Sequence, residues 1–221
     1  MEEKLKSEGV CIYCGKKYSK QGISRHLSTH LNQLPASEKH TALHLRVDGG
    51  PYFLKLLVDA KATLSTLDEF LRDIWLECCG HLSRFSYGSW RDELPQDGKM
   101  QRFLSPGTTV WYAYDFGSTT ELTIRCLAAY PAAVKRKIEL LSRNEPFPTM
   151  CDRCGKAPAE RLCTGHWSDE EERFFCESCA AIHEEACVYG EQMVPVTNSP
   201  RMGQCGYDGG RIDVERDRFK G

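Results

Sequence analysis

TALHLRVDGGPYFLKLLVD, residues 41–59, decides the fold class. Two runs of alternating apolar residues flank Asp48-Gly49-Gly50-Pro51, a cluster of turn formers. Alternation with period two marks a half-buried strand, and the turn between the runs joins them as an antiparallel hairpin. Working downstream, STLDEFLRDIWLECC (65–79) places Leu67, Phe70, Leu71, Ile74 and Trp75 at helical spacing. Ser65 is the expected N-cap, with Asp68 three residues on, and Gly80 is the expected stop. HLSRFSYGS (81–89), TTVWYAYDFG (108–117), TTELTIRCLAAY (119–130) and KRKIELLSRN (135–144) read as further strands. RDELPQDGKMQRFLSPG (91–107) reads as a polar loop with little structure. Short connections favour antiparallel pairing. Residues 41–148 are therefore expected to form an α+β domain, a central, mostly antiparallel sheet packed on helices.

The chain around this hairpin has 221 residues and a formal net charge of −2. It is no polycation, so any basic face is local. The first residues, MEEKLKSEG, lack the apolar core of a signal peptide. No apolar run approaches the ~20 residues that span a bilayer. The expectation is a soluble, cytoplasmic protein without a membrane partner. In that setting twelve cysteines point to metal rather than to disulfides.

The cysteines are strongly patterned. CDRCGKAPAERLCTGHWSDEEERFFCESCAAIHEEAC (151–187) contains Cys151-x2-Cys154, Cys163-x2-His166, Cys176-x2-Cys179 and His183-x3-Cys187. Zinc prefers four thiolate or imidazole ligands in a tetrahedron, and a pair on a tight turn holds one metal with both side chains. Gly155 supplies the positive φ that such a turn favours. Eight ligands make two sites. The favoured arrangement is interleaved, with the first and third pairs on one zinc and the second and fourth on the other. Trp167, Phe174 and Phe175 are expected to form a small core around the metals. Asp169, Glu170, Glu171, Glu172, Glu177, Glu184 and Glu185 make this segment acidic. VPVTNSPRMGQCGYDGG (194–210) reads as a loop wrapping back over the central sheet, with Arg201 its one cation and Tyr207 an anchor. Cys205, between Gly203 and Gly206, is a candidate to replace a histidine in the second site. RIDVERDRFKG at the end reads as mobile.

Upstream, VCIYCGKKYSKQGISRHLSTHL (10–31) carries Cys11-x2-Cys14, eleven residues, then His26-x3-His30. This spacing resembles a Cys2His2 zinc finger, with Tyr18 and Ile23 at its core positions. His26 and His30 lie on one helical face and can share a metal. A third zinc is thus expected, and folding of so small a module depends on it. Lys16, Lys17, Lys20 and Arg25 suit contact with the phosphates of DNA or RNA. Ser19, Gly22 and Arg25 fall at the base-reading positions, and only Arg25 can make a bidentate guanine contact. Leu27, Leu31 and Leu34 offer the alternative of a docking surface for a protein partner. Residues 31–40 read as a short polar linker.

HLSRFSYG (81–88), TVWYAYDFGSTTELTIR (109–125), IELLSRNEPFPTMCDRCG (138–155) and PVTNSPRMGQCGYDG (195–209) together resemble the Ri-plasmid open-reading-frame-three-like family, also described as transposon passenger proteins of a TnpR-like type. The sharpest piece is Tyr114-Asp115-Phe116-Gly117. The resemblance implies an α+β fold of strands on helices and a mobile-element or defence setting, and it implies little about activity. The chain then divides into a finger (1–33), the family-like domain (41–148), a two-zinc knuckle module with its wrapping loop (149–207) and a tail (208–221).

An enzyme is the contrasting reading. Cys78, Cys79, His81 and Asp115 are the parts of a cysteine nucleophile site. Against it, Cys78 and Cys79 end an apolar helix, where free cysteines usually serve as small hydrophobes. Asp115 suits a turn whose carboxylate bonds nearby amides. Cys126 suits the core. No small-molecule cofactor is expected, and no catalytic residue is assigned. The leading expectation is a zinc-stabilised, non-enzymatic binding or adaptor protein.

Overall fold

The computed structural model describes residues 6–88, 91–166, 172–189 and 192–217. The chain forms two units, one from residues 1–71 with 82–145, the other from 72–81 with 146–221. Its class is α+β.

The first unit is built on the hairpin. Strands β3 (Ala42–Gly49) and β4 (Tyr52–Asp59) pair from Ala42↔Asp59 to Gly49↔Tyr52, and Gly50 turns the chain at φ +60°. Ahead of them lie β1 (Glu8–Val10), β2 (Lys17–Ser19) and α1 (Gly22–Leu31). Behind them come α2 (Leu64–Leu71), β5 (Ser83–Ser86), β6 (Glu93–Leu94), β7 (Thr109–Tyr114), β8 (Thr120–Tyr130) and β9 (Ile138–Arg143). The large sheet has seven strands in the order β6-β5-β7-β8-β3-β4-β9, all pairs antiparallel. The segment expected to be a loop contributes β6 and a short 3-10 turn, Met100–Arg102.

One face of this sheet receives α2. Asp68 there accepts hydrogen bonds from Ser83 Oγ and Tyr112 OH, both at 2.6 Å. The helix starts one residue before Ser65, and Thr63 Oγ1 accepts from Thr66 N at 3.3 Å, so Thr63 is the cap. The other face receives the finger. Ile23, Leu27 and Leu31 are fully buried among Phe53, Leu57, Ala42 and Tyr130. Leu27 and Leu31 therefore cover the protein's own sheet and are not available as a docking surface. The finger is stitched to β9 and the residues just past it as well, through Ile12 N to Leu141 O at 3.0 Å and Glu145 N to Glu8 O at 2.7 Å. The 31–40 segment is itself tied to this unit: Ala36 bridges Ala132, and Ser37 N donates to Pro131 O at 2.6 Å.

The second unit starts with a π-helical turn, Arg72–Leu76, that buries Ile74, Trp75 and Leu76. Its sheet has three strands in the order β11-β10-β12, from β10 (Arg161–Cys163), β11 (Phe174–Phe175) and β12 (Met193–Pro195). Helix α3 (Glu177–Ala186) and a last turn, α4 (Val214–Asp217), complete it. Two small apolar clusters stand among its described residues: Ala159, Leu162 and Val196 form one, Cys163, Phe175 and Ala180 another. Trp167, Asp169, Glu170 and Glu171 lie outside the described residues.

The segment from Val194 is ordered: β12 opens it and pairs with β10 at Leu162↔Val194, and beyond it Ser199 Oγ donates to Trp75 O at 2.7 Å. One expectation for this unit changes. The tail is held as far as Asp217, which is fully buried, with Asn198 N donating to its carbonyl at 2.6 Å. Arg201 and Tyr207 are fully buried as well.

Candidate metal centres

Four groups of cysteine and histidine can each hold a metal ion among the described residues, with the four ligand atoms of a group within 4.8 Å of one another. They use eleven of the twelve cysteines. The twelfth, Cys126, is buried in β8, where burial pushes its thiol up to about 11.

The first group is Cys11, Cys14, His26 and His30. Cys11 and Cys14 sit on a tight turn closed by Gly15 N to Cys11 O at 2.9 Å, with Gly15 at φ +69°. α1 supplies the histidines from successive turns, and both present Nε2, 3.2 Å apart. Cys14 Sγ lies 3.2 Å from His26 Nε2. Tyr18 stacks on the His26 ring at 4.2 Å between centroids. Burial, then the neighbouring His30, lowers the His26 pKa, which favours the neutral imidazole a metal needs.

The second group joins Cys151, Cys154, Cys176 and Cys179, and the third joins Cys163, His166, His183 and Cys187. The ligand pairs are thus interleaved along the chain. The Cys151 turn repeats that of the finger: Gly155 N donates to Cys151 O at 2.9 Å, with Gly155 at φ +61°. Helix α3 explains the crossing. Its N-cap Cys176 and its first-turn Cys179 serve one group, while His183 and Cys187, two turns along, serve the other. Cys154 and Cys176 sulfurs stand 3.9 Å apart, and His166 Nε2 stands 3.2 Å from Cys187 Sγ. The Ser178 hydroxyl and the Cys179 amide draw the Cys176 thiol down to about 6, as a thiolate ligand requires. Burial, then His166, lowers the His183 pKa, and the ring stacks on Phe175 at 4.2 Å. Asp152 fixes the neighbouring strand by accepting from Arg173 N and Phe174 N, both at 2.8 Å.

The fourth group is Cys78, Cys79, His81 and Cys205. Cys205 does not replace a histidine of the third group; it joins the three residues weighed above as parts of a nucleophile site. Asp115 takes no part: at φ +63° its carboxylate accepts from Gly117 N at 2.9 Å, a turn role. The signal was present as Cys-Cys-x-His, three ligands of two types in four residues. Its completion by a cysteine over a hundred residues away is a matter of tertiary topology.

The four cations proposed for phosphate contact divide. Lys20 Nζ is 3.0 Å from Asp48 and donates to Gly50 O at 3.2 Å, so it ties the finger to the hairpin. Lys17 lies 4.0 Å from Glu145. Lys16 and Arg25 are exposed, and no ion pair ties either down among the described residues.

No family model matches the chain, and no curated protein matches it. Among solved structures, a protein of unknown function from Methanosarcina mazei Go1 is similar over 47% of this chain and 67% of that one, with 14% identity and a TM-score of 0.39. No helix among the described residues is long and apolar enough to cross a membrane.

Proposed function

We propose that this is a zinc-stabilised, non-enzymatic binding protein of the cytoplasm, whose finger contacts nucleic acid through Lys16 and Arg25. The observation that carries the reading is the completeness of the ligand sets. Each of the first three groups offers four protein ligands, and four thiolate or imidazole ligands fill the tetrahedron of a structural zinc, leaving no position for substrate. Thiolates paired with imidazoles select zinc over calcium or magnesium, which take oxygen ligands. The Ri-plasmid open-reading-frame-three-like assignment belongs to this proposal, with its mobile-element setting.

The test of the binding role is fluorescence anisotropy of zinc-loaded protein on random-sequence duplex and single strands at two salt concentrations. With Lys16 and Arg25 as the free cations, and Lys17 only loosely paired, the slope of log K against log salt is expected to be about −2 to −3. The double variant K16A/R25A should lose most of that slope. Absence of binding at low salt refutes the nucleic-acid role. The non-enzymatic protein adaptor is then the surviving reading, and its surface has to lie outside the buried Leu27 and Leu31.

A further inference from the structure

We infer that Cys78, Cys79, His81 and Cys205 bind a fourth zinc, and that this centre is an exchangeable latch rather than a buried staple. The inference rests on the zinc reading of the other three groups, and it adds to them a site of different character.

The geometry is that of a metal shell. Zinc–sulfur bonds of about 2.3 Å set tetrahedral sulfur–sulfur edges near 3.8 Å, and the shorter zinc–nitrogen bond makes mixed edges somewhat shorter. Cys78 Sγ and Cys79 Sγ are 3.8 Å apart, and Cys79 Sγ and Cys205 Sγ are 3.5 Å apart. His81 Nε2 lies 3.0 Å from Cys79 Sγ and 3.2 Å from Cys205 Sγ. All three cysteines are free thiols. The backbone is bent to bring them together. Gly80 at φ +79° reverses the chain between Cys79 and His81. Cys205 itself takes φ +49°, a conformation a non-glycine residue holds only when its surroundings demand it.

A second observation points the same way. Arg201 is fully buried, and its Nη2 donates to Cys78 Sγ at 3.6 Å. Three thiolates and a neutral histidine around Zn2+ carry a net charge of −1, a counter-charge that a buried guanidinium can use. A plain thiol offers none.

What sets this group apart is exposure. Each of the other three groups contains at least one buried cysteine: Cys11, then Cys151 with Cys176, then Cys163. In the fourth no ligand is buried, and Cys79 and Cys205 are exposed. Water and competing ligands can reach this metal along its edge, so exchange is faster here. The consequence is local. A polar cavity of about 300 Å³ lies between Arg72, Glu77 and Cys78 on one side and Asp208, Gly209, Gly210 and Arg211 on the other. Arg211 N and Ile212 N already donate to Asp73 O at 2.6 and 3.0 Å at the far end of the loop; the bond from Cys205 to the shared metal ties its near end, so metal occupancy sets how firmly the 203–209 part is held over the cavity.

The test counts zinc per chain in the full-length protein, desalted and measured by plasma mass spectrometry. Four are expected in the wild type, three in C205S and in C79S. A chromophoric chelator should take one equivalent from the wild type in a fast phase that C205S lacks. Hydrogen exchange of the 203–209 amides should rise in C205S. Three zincs in both wild type and C205S, or four that leave in a single slow phase, overturn the latch and leave the zinc-stabilised reading standing; none in the wild type overturns that reading too. Should the serine variants misfold, cobalt titration of the wild type decides. The fourth equivalent should add thiolate-to-cobalt absorption for three further ligands, and no added band refutes the site.

Discussion

Lys55 and His44 stand on the sheet face that the finger covers. Cross-strand pairing puts Ala42, His44, Arg46 and Asp48 on one face with Phe53, Lys55 and Leu57, and Ala42, Phe53 and Leu57 receive the helix of the finger. Lys55 Nζ and both ring nitrogens of His44 are buried without a hydrogen-bond partner. Burial, then Arg46, pulls the lysine down from 10.5 to about 7, against an opposing effect of Asp48. A folded-state pKa below the unfolded one means the unfolded chain binds more protons between pH 7 and 10.5. Stability therefore rises with pH across that window, and the penalty is complete below it. The wild type is expected to be about 2 kcal/mol more stable at pH 9 than at pH 7 from this group alone. K55M should be more stable than wild type at pH 7 and should lose that rise, as denaturant melts at the two pH values would reveal; an unchanged slope would falsify the burial of a neutral amine. Burial, then Lys55, likewise holds His44 down to about 4, so its contribution is lost as pH falls from 6.5 toward 4. None of this was legible in the sequence. Alternation puts Lys55 and His44 on a face, but a lysine and a histidine in a strand ordinarily mark the wet side, and only the docked finger makes that side dry.

At the scale of elements, the hairpin, the strands and the ligand-bearing helices could be read because each rests on local periodicity or spacing. The docking of the finger could not. An apolar stripe at Ile23, Leu27 and Leu31 says that something covers it without saying what. Gly9 is where the close approach is decided. A Cβ there would lie 2.5 Å from Arg143 O, 2.7 Å from the Phe53 ring and 2.7 Å from Ser142 Oγ, two of them on β9. G9A is expected to cost about 1–3 kcal/mol, the usual price of overpacking. It should also open the 32–41 segment to trypsin at Lys39 while the finger keeps its metal. If G9A leaves both denaturation and cleavage unchanged, the finger is not anchored through β1. The π-helical turn at Arg72–Leu76 was likewise hidden, since Ile74 and Trp75 fit an ordinary helix by spacing. That turn precedes Cys78, so its register sets the direction in which the Cys-Cys-x-His ligands leave the helix.

For the whole molecule, the two units are stabilised by different means, and metal removal should separate them. The first has a seven-stranded sheet with long apolar runs from β3, β4, β7 and β8 buried on it. The second has a three-stranded sheet of two- and three-residue strands; around the ligands the described residues form only small apolar clusters, with Ile74, Trp75, Leu76 and Tyr207 buried besides, while three of the four ligand groups belong to it. Segments that cannot bury enough apolar surface depend on cross-links or metals to fold, and a metal site absent from the unfolded chain adds its binding energy to folding. A strong chelator under reducing conditions should therefore unfold the second unit, with amides of β10, β11 and β12 losing protection from hydrogen exchange. Amides of β3, β4 and β8 should keep theirs. Zinc restored after chelation should refold the second unit in a step that slows as pH falls toward 5, because protons compete for thiolates and imidazoles. Uniform retention of protection in metal-free protein would mean that these ligand sets bind metal on a framework already stable without it. Their task would then be chemical rather than structural, and the enzyme reading would have to be taken up again, beginning at the exposed thiols of Cys79 and Cys205.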